Sequence, residues 1–171
     1  HVLDIILTAG EAFDAQLLGA EALNALRIEK GFRHWGHDMS YTEAPHQVGL
    51  DFVCKTKKTP AFIGLEAYLQ RKLEANGPYL CAIRLCDPTP LMHHNEPVLC
   101  DGQVVGYITS AAFSAHFNCA IGLCLIELPI DAGAKAATVA THYSVVIEGN
   151  PVSAEVSLIP FYDAKNERML S

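Results

Sequence analysis

The spacing of apolar residues changes from helical to strand-like just before the middle of the chain, and this change restricts the fold more than any other sequence feature. Upstream, leucines recur every four residues from Leu65 to Leu73, which is the pattern of an amphipathic helix. Asn76-Gly77-Pro78 then supplies a glycine cap and a proline stop. Downstream, short apolar runs alternate with turn residues. We therefore predict a helical unit over 1–77 and a strand-rich unit over 78–171.

The downstream unit is predicted to be antiparallel and all-β. Asp101-Gly102, between two apolar runs, is a strong signal for a two-residue hairpin, and Gly149-Asn150 predicts a second turn. Along residues 152–158 apolar and polar side chains alternate, which is typical of a sheet that is wet on one face. Closely spaced strands with few helices favour a small barrel or a sandwich. The predicted strands cover residues 79–86, 98–100, 103–105, 120–127, 143–147 and 152–158.

The upstream unit contains a predicted helix that begins at Gly19 and ends at Gly31 in a left-handed cap. Leu23 and Leu26 are predicted to form its buried stripe. Residues 50–55 are predicted to form a short strand, so this unit combines helices with some β structure.

Arg27 has no carboxylate one turn away on its helix. A guanidinium beside a leucine stripe therefore needs a distant acid, a backbone carbonyl or a bound anion, unless it extends into solvent. Phe32, Trp35 and Tyr41 follow among cationic residues and histidines. Such rings can stack on a pteridine or another flat heterocycle, or they can simply cap a core. Residues 22–39 are thus predicted to form one wall of a site for a flat, anionic small molecule.

Charge and motifs exclude several classes of function. The net charge of −7 argues against nucleic acids and anionic membranes as partners, and no apolar run approaches the roughly 20 residues of a membrane span. Histidines 34, 37 and 46 lack a consistent ligand spacing, and the adjacent His93 and His94 point apart, so we predict no metal. No nucleophile elbow, phosphate-binding loop or dinucleotide fingerprint is present. The sequence shows binding chemistry without a catalytic constellation.

The six cysteines show no zinc-type spacing and several lie in apolar runs, so we predict reduced thiols rather than a disulfide framework. The start of the chain lacks the features of a secretory signal. We therefore expect a location in the cytoplasm of a bacterium, or in the mitochondrial matrix of a eukaryote. Because the chain begins at His1 inside a helical pattern, we also expect it to be a piece of a longer protein.

Several short motifs occur in a characteristic order along the chain. They are Leu26-Arg27-Ile28-Glu29-Lys30-Gly31, Gly36-His37-Asp38, Gly49-Leu50-Asp51-Phe52, Phe62-Ile63-Gly64-Leu65-Glu66-Ala67, Asp101-Gly102, Val105-Gly106 and Ile108-Thr109-Ser110. In this order the sequence resembles the folate-binding aminomethyltransferase superfamily, that of the glycine cleavage T-protein, over essentially its whole length. Residues 22–24, 32–38 and 92–97 are most similar to dimethylglycine and sarcosine dehydrogenases.

This resemblance implies a fold and a division of labour. Residues 1–77 would be the C-terminal part of a folate-binding α+β domain, and residues 78–171 the T-protein C-terminal antiparallel β-barrel, of Greek-key or jelly-roll type. A separate N-terminal domain would use FAD to oxidise an N-methyl amine. The T-protein-like part would pass the resulting methylene unit to tetrahydrofolate. The implied partners are folate and the protein's own N-terminal FAD and folate domains.

For the site, the resemblance implies folate contacts from Arg27, Trp35 and Phe52. Trp35 occupies the position of a family tyrosine, and Phe52 stands where the T-protein has tryptophan. The family's essential aspartate lies upstream, so no catalytic residue is assigned here and the chain alone is expected to be inactive. Exposed apolar surface on residues 1–77 would favour a homo-oligomer of the isolated chain. Two alternatives stay open, a non-catalytic scaffold or regulatory relative of the same fold and a stand-alone T-protein-like aminomethyltransferase.

Overall fold

Three α-helices precede a six-stranded sheet in the computed structural model, which describes residues 1–74, 77–127 and 142–170. The helices are α1 (Val2–Gly10), α2 (Ala20–Glu29) and α3 (Leu65–Glu74), and short 3-10 helices cover Glu11–Phe13 and Asp51–Val53. The strands are β1 (Tyr79–Leu85), β2 (Pro97–Cys100), β3 (Gln103–Ser114), β4 (Cys119–Ile126), β5 (Tyr143–Ile147) and β6 (Asn150–Ser157). Asn76, part of the predicted helix stop, lies outside the described residues.

The six strands form a closed barrel in the order β1-β4-β3-β2-β5-β6, and β6 pairs back onto β1. Every pairing is antiparallel. Closure removes the unpaired strand edges that an open sheet of this size would expose. The predicted helical portion followed by an antiparallel barrel is therefore confirmed, and of the two architectures left open by strand spacing the barrel is the one formed.

Two tight turns account for the hairpins within the barrel. Asp101 and Gly102 join β2 to β3 with φ angles of 48° and 79°. Consecutive positive φ values are the requirement of a type I′ turn, which matches the twist of the flanking strands. The β5–β6 turn has the same character at Glu148 and Gly149, with φ of 50° and 81°. It therefore lies one residue earlier than the predicted Gly149-Asn150 turn, because Asn150 already belongs to β6.

The barrel is packed on its inside and partly covered on its outside. Every residue of β4 is buried, which requires cover on both faces of the strand. The inner face belongs to the barrel core, which includes Ile83, Ile108 and Val145. The outer face of β1 and β4 packs against Ile28 of α2 and Val48 of the following segment. The helical part of the chain is thus attached to the barrel through one continuous apolar layer.

The C-terminal end of α2 attaches the helix to the barrel. The predicted buried stripe of Leu23 and Leu26 was wrong. Leu23 and Leu26 are 57% and 52% exposed, whereas Ile28 and Glu29 are buried. Glu29 accepts a 2.5 Å hydrogen bond from the Ser114 hydroxyl of β3, so the last turn of the helix faces the barrel. The leucine stripe was wrong because Ile28, Glu29 and Arg27 contact the barrel, which leaves both leucines facing solvent.

The predicted left-handed cap of α2 is confirmed. Gly31 has a φ of 67°, and its N–H donates to the Ile28 carbonyl while the Phe32 N–H donates to the Arg27 carbonyl. These two bonds are those of a Schellman motif, in which glycine takes the left-handed position without steric cost. The cap turns the chain sharply and starts the irregular segment that follows.

The predicted strand over 50–55 was wrong. Asp51–Val53 is a single 3-10 turn, and the Val53 and Cys54 N–H groups donate to carbonyls three residues earlier. The Asp51 carboxylate accepts hydrogen bonds from Tyr68 and, at 2.7 Å, from Lys72 of α3. The backbone N–H groups that a strand would donate to a neighbouring strand are therefore used within the turn. The Asp51 side chain ties this turn to α3.

Apolar side chains are unusually exposed in the helical part of the chain. Helix α1 has no buried residue, and Phe13 and Leu17 are 84% and 75% exposed. Helix α3 forms where predicted, but Leu73 is 86% exposed and Tyr68 is its buried residue. Across the described ranges, none of the helices combines the length and the apolar character that crossing a bilayer demands.

A substitution at Gly106 tests how closely β3 approaches β4. A Cβ at this position would overlap the Leu125 carbonyl oxygen and lie 2.8 Å from the Ile126 Cα, and backbone atoms cannot move aside. We expect Gly106→Ala to lower the free energy of unfolding by about 1–3 kcal/mol, measured by urea denaturation. Gly19→Ala is the matched control, because no heavy atom lies within 4 Å of its added Cβ. Equal midpoints for the two variants would contradict the close approach.

Candidate functional site

Arg27 projects from the last turn of α2 and is held by four hydrogen bonds. Its Nε donates to Asn24 Oδ1 at 2.9 Å, and Nη1 donates to the Phe32 carbonyl at 3.3 Å. Nη1 also donates to Asp38 Oδ2 at 2.5 Å, and Nη2 donates to Ser110 Oγ at 2.7 Å. Of the partners predicted for Arg27, a distant acid and a backbone carbonyl are therefore both present. The Arg27 side chain keeps 17% of its surface exposed.

Asp38 is the acid that Arg27 meets, and it is fully buried. Its Oδ2 accepts from Arg27 and from the His34 N–H at 2.8 Å, and its Oδ1 accepts from the Thr109 and Ser110 hydroxyls at 2.6 Å each. A buried carboxylate is costly unless it is paired and hydrogen-bonded. Four donors from three parts of the chain meet that requirement.

A β-bulge in β3 brings two hydroxyls to one carboxylate oxygen. The register against β4 shifts between Ile108 and Ser110, which leaves Thr109 as the extra residue. In a regular strand, Thr109 and Ser110 would point to opposite faces of the sheet. The bulge re-aims them so that both reach Asp38. The sequence shows the Thr-Ser pair but carries no signal for the bulge, so this contact was not predicted.

Two cavities of about 370 and 380 Å³ lie beside Arg27 and share Asn24, Arg27 and His34 in their walls. The polar cavity is completed by His37, Met92, His93, His94, Thr109, Ser110 and Ala111. The apolar cavity is completed by Ala20, Leu23, Phe32 and Arg33. The guanidinium thus stands between a hydrogen-bonding cavity and one suited to a flat apolar surface.

Four histidines line the polar cavity. The rings of His34 and His37 stack with centroids 4.6 Å apart, and His37 meets His94 edge-on at 5.9 Å. His94 Nδ1 lies 2.8 Å from the Thr109 carbonyl oxygen, so this nitrogen is the donor and Nε2 is the acceptor in the neutral ring. His93 lines the same cavity.

Stacked rings hold their nitrogen lone pairs in parallel planes, which disfavours joint ligation of one ion. Within 1–74, 77–127 and 142–170, no group of three or more histidine, cysteine or acidic side chains is placed to hold a metal. The cluster is instead suited to hydrogen bonding, with Arg27 as its permanent positive charge.

The three residues assigned by resemblance are not brought together around one cavity. Arg27 lines both cavities, but neither Trp35 nor Phe52 is among the residues that line them. Their rings are 63% and 67% exposed. The folate-contacting roles of all three remain predictions.

Removing the Asp38 carboxylate tests the buried network. Asp38→Ala leaves the Arg27 guanidinium without its counter-ion and two hydroxyls without their acceptor. We expect the free energy of unfolding to fall by about 3–5 kcal/mol, measured by urea or thermal denaturation.

The matched control is Glu155→Ala, which breaks the more exposed 2.8 Å pair between Arg84 and Glu155. Exposed pairs contribute about 0–1 kcal/mol. Similar losses in the two variants would mean that Asp38 is not the stabilising centre described above.

Two family models match the chain, one to each part. The GCVT N-terminal domain matches residues 1–58, and the glycine cleavage T-protein C-terminal barrel domain matches residues 79–163. Together these matches include α2, the Asp38 turn and the barrel strands.

Curated proteins similar to the chain carry the names of enzymes. The 4-methylaminobutanoate oxidase (formaldehyde-forming) of Paenarthrobacter nicotinovorans is 35% identical over 169 residues, which is 99% of this chain and 20% of that protein. An aminomethyltransferase of Clostridium botulinum (strain ATCC 19397 / Type A) is 30% identical over 95% of this chain and 42% of its own length. One from Geobacillus thermodenitrificans (strain NG80-2) is 32% identical over 93% and 42%. The chain therefore spans well under half the length of these relatives.

A solved structure shares the fold. The glycine cleavage system aminomethyltransferase T from Bartonella henselae superposes with a TM-score of 0.77 over 95% of this chain and 44% of that one, at 16% identity. Both family models, the relatives and the shared fold agree, with an oxidase as well as aminomethyltransferases among the relatives. The chain belongs to the glycine cleavage T-protein family.

Proposed function

We propose that this chain is the folate-binding, one-carbon-transfer part of an enzyme of the dimethylglycine and sarcosine dehydrogenase type. In this role it would help pass a methylene unit from an oxidised N-methyl amine to tetrahydrofolate. The observation that carries the proposal is the position of Arg27, a fixed cation between a polar and an apolar cavity. Membership of the T-protein family supports the transfer chemistry.

The name of one relative bears on the substrate class. The Paenarthrobacter protein is named as an oxidase of a methylaminobutanoate that forms formaldehyde. Oxidation of an N-methyl group followed by hydrolysis releases its carbon as formaldehyde. Tetrahydrofolate, when bound, accepts one carbon at that same oxidation level. A secondary or tertiary N-methyl amine is therefore the substrate class we propose.

The residues around Arg27 fit a folate. Asn24 and His34 offer polar edges in both cavities, and Leu23 and Phe32 offer apolar surface in one of them. Because four of its N–H groups are already directed at protein acceptors, Arg27 is held rigidly before any ligand arrives. One N–H group, on Nη2, remains for a ligand, and it can donate to a carboxylate or to a pterin oxygen. Trp35 and Phe52 are proposed as additional aromatic contacts.

The partners proposed are the other parts of a longer protein. The chain spans 20% to 44% of the relatives and of the solved structure described above. Its first 26 residues also expose many large apolar side chains, among them Leu3, Ile6 and Phe13. We propose that further folate-domain residues pack there, and that FAD is held by a separate domain. Association between copies of the chain is the competing explanation for the exposed residues.

A second candidate function is a structural or regulatory relative that binds no folate. The specific observation in its favour is that Arg27 already has Asp38 and Ser110 as partners, so its position is explained without a ligand. A stand-alone aminomethyltransferase is the alternative within the same family, supported by the similarity to bacterial aminomethyltransferases.

Folate affinity separates the two folate-binding candidates from the structural or regulatory relative. We expect Arg27→Ala, in the full-length natural protein that contains this chain, to raise the Kd for tetrahydrofolate roughly 10- to 100-fold, about 1.5–3 kcal/mol, by calorimetry. Because Arg27 also supports Asp38, a second variant is needed. Phe32→Ala leaves the Arg27–Asp38 pair intact and should raise Kd roughly 5-fold, through loss of apolar contact.

Phe113→Ala is the control, because this ring is 45% exposed and lines neither cavity beside Arg27. Its Kd should match that of the unmodified protein. The proposal fails if the unmodified protein binds no tetrahydrofolate, or if Phe32→Ala and a folded Arg27→Ala both bind it unchanged.

A further inference from the structure

The β1–β4 ladder contains one cross-strand pair of cysteines, and a second pair lies where the two strands end. Its register runs without a shift from Tyr79 opposite Ile126 to Arg84 opposite Ile121. Cys81 lies directly opposite Cys124 within this range. Extended two residues beyond Arg84, this register brings Cys86, the residue after β1, opposite Cys119, the first residue of β4. Residues opposite each other in adjacent strands point to the same face of the sheet, so each pair shares a face.

The backbone spacing at such positions is compatible with a disulfide. Opposite Cα atoms in antiparallel strands lie about 4.5 or 5.5 Å apart, and disulfides span about 4.4–6.8 Å between Cα atoms. The Cys86 thiol is near enough to Cys119 to raise the pKa of the Cys119 thiol further, beyond the increase caused by burial. The extended register and the shared cavity therefore bring the outer pair, Cys86 and Cys119, within the span of a disulfide.

The outer pair has one exposed thiol, Cys86, and one buried thiol, Cys119, whereas both members of the inner pair, Cys81 and Cys124, are buried. Cys86 is exposed, and Cys86 and Cys119 line the same open cavity of about 370 Å³ at one end of the barrel. Cys81 and Cys124 are 1% and 0% exposed inside the barrel core. Burial raises the pKa of the Cys81 thiol to about 12. Because thiolates are the reactive form, the inner pair should resist oxidants that the outer pair meets.

A fixed cation stands beside the outer pair. The Arg84 guanidinium lies 4.9 Å from the centroid of the Phe161 ring and 5.6 Å from that of Phe117, and it lines the same cavity. Burial raises the pKa of the Cys119 thiol, and the Arg84 charge opposes that increase. Arg84 is paired with Glu155 at 2.8 Å, and the Glu155 charge adds to the increase in the pKa of Cys119, so the exposed Cys86 is the thiol that meets an oxidant first.

We propose that Cys86 and Cys119 form a redox site that hydroperoxides convert into a cross-strand disulfide. The exposed Cys86 thiolate attacks the O–O bond of hydrogen peroxide and becomes a sulfenic acid, and the peroxide's second oxygen leaves as hydroxide, which takes up a proton to give water. The Cys119 thiol then attacks the Cys86 sulfur, forms the S–S bond and displaces the sulfenic oxygen as a second water. Two thiols and one peroxide thus give one disulfide and two waters. A dithiol reductant reverses the step and is itself oxidised to a disulfide.

The disulfide would stabilise the barrel, because the loop that it closes contains two of the strands. The loop from Cys86 to Cys119 contains β2 and β3, and β3 carries the two hydroxyls that hold Asp38. Closing such a loop restricts the unfolded chain and so stabilises the barrel. This redox site is separate from the proposed folate site, since neither Cys86 nor Cys119 lines the two cavities beside Arg27.

The test treats the reduced protein with a small excess of hydrogen peroxide and maps peptides without reduction. We expect a Cys86–Cys119 peptide pair, a loss of two of the six thiols per chain, and an increase in Tm of about 5–10 °C that dithiothreitol reverses. Cys86→Ser, at an exposed position, should fold normally and lose the peroxide-dependent increase. Cys100→Ser, which removes a cysteine outside both pairs, should keep it.

Three results would overturn the proposal. One is oxidation of Cys86 to a sulfinic acid while Cys119 keeps its thiol. Another is a disulfide that joins two chains instead of closing within one. The third is a Cys81–Cys124 disulfide that forms as fast as the outer one, because burial of both inner thiols should slow their oxidation.

Discussion

The structure depends on one buried carboxylate. Asp38 accepts hydrogen bonds from Arg27 on α2, from the His34 backbone in the turn, and from Thr109 and Ser110 on the barrel. Desolvating this charge costs several kcal/mol, and the cost is offset only when all the donors are in place. Because those donors come from segments far apart in the sequence, the turn, the helix and the bulged strand must become ordered together.

The same contact prepares the candidate binding surface. Arg27 would otherwise be a long side chain with considerable rotamer entropy, but its four hydrogen bonds fix it between the two cavities. A ligand that meets this guanidinium does not have to order it, which lowers the entropic cost of binding. Structural and binding roles are therefore compatible in this residue. The contact that makes Arg27 part of the fold also orders it for a ligand, while the Asp38 carboxylate offsets part of its positive charge.

Sequence reasoning succeeded where the determining physics is local. The Asp101-Gly102 turn and the Gly31 cap each follow from the backbone freedom of a few adjacent residues, and both are present. It failed where partners are distant in sequence. Leu23 and Leu26 face solvent because contacts with the barrel decide which side of α2 is buried. The acid that pairs with Arg27 could not be read from spacing because the irregular turn after Gly31 places Asp38, and the bulge could not because it depends on strand register.

The bulge also changes which residues of β3 point into the barrel and which point out of it. Ile108 and Ala111 both pack toward the barrel interior although they are three residues apart, and Ser114 therefore faces outward to meet Glu29. Without the extra residue at Thr109, every side chain beyond it would exchange inside for outside. Gaining or losing one amino acid here would disrupt the interior packing and both polar attachments of α2 together. The residue count of this strand is thus under a stricter constraint than the identity of most of its side chains.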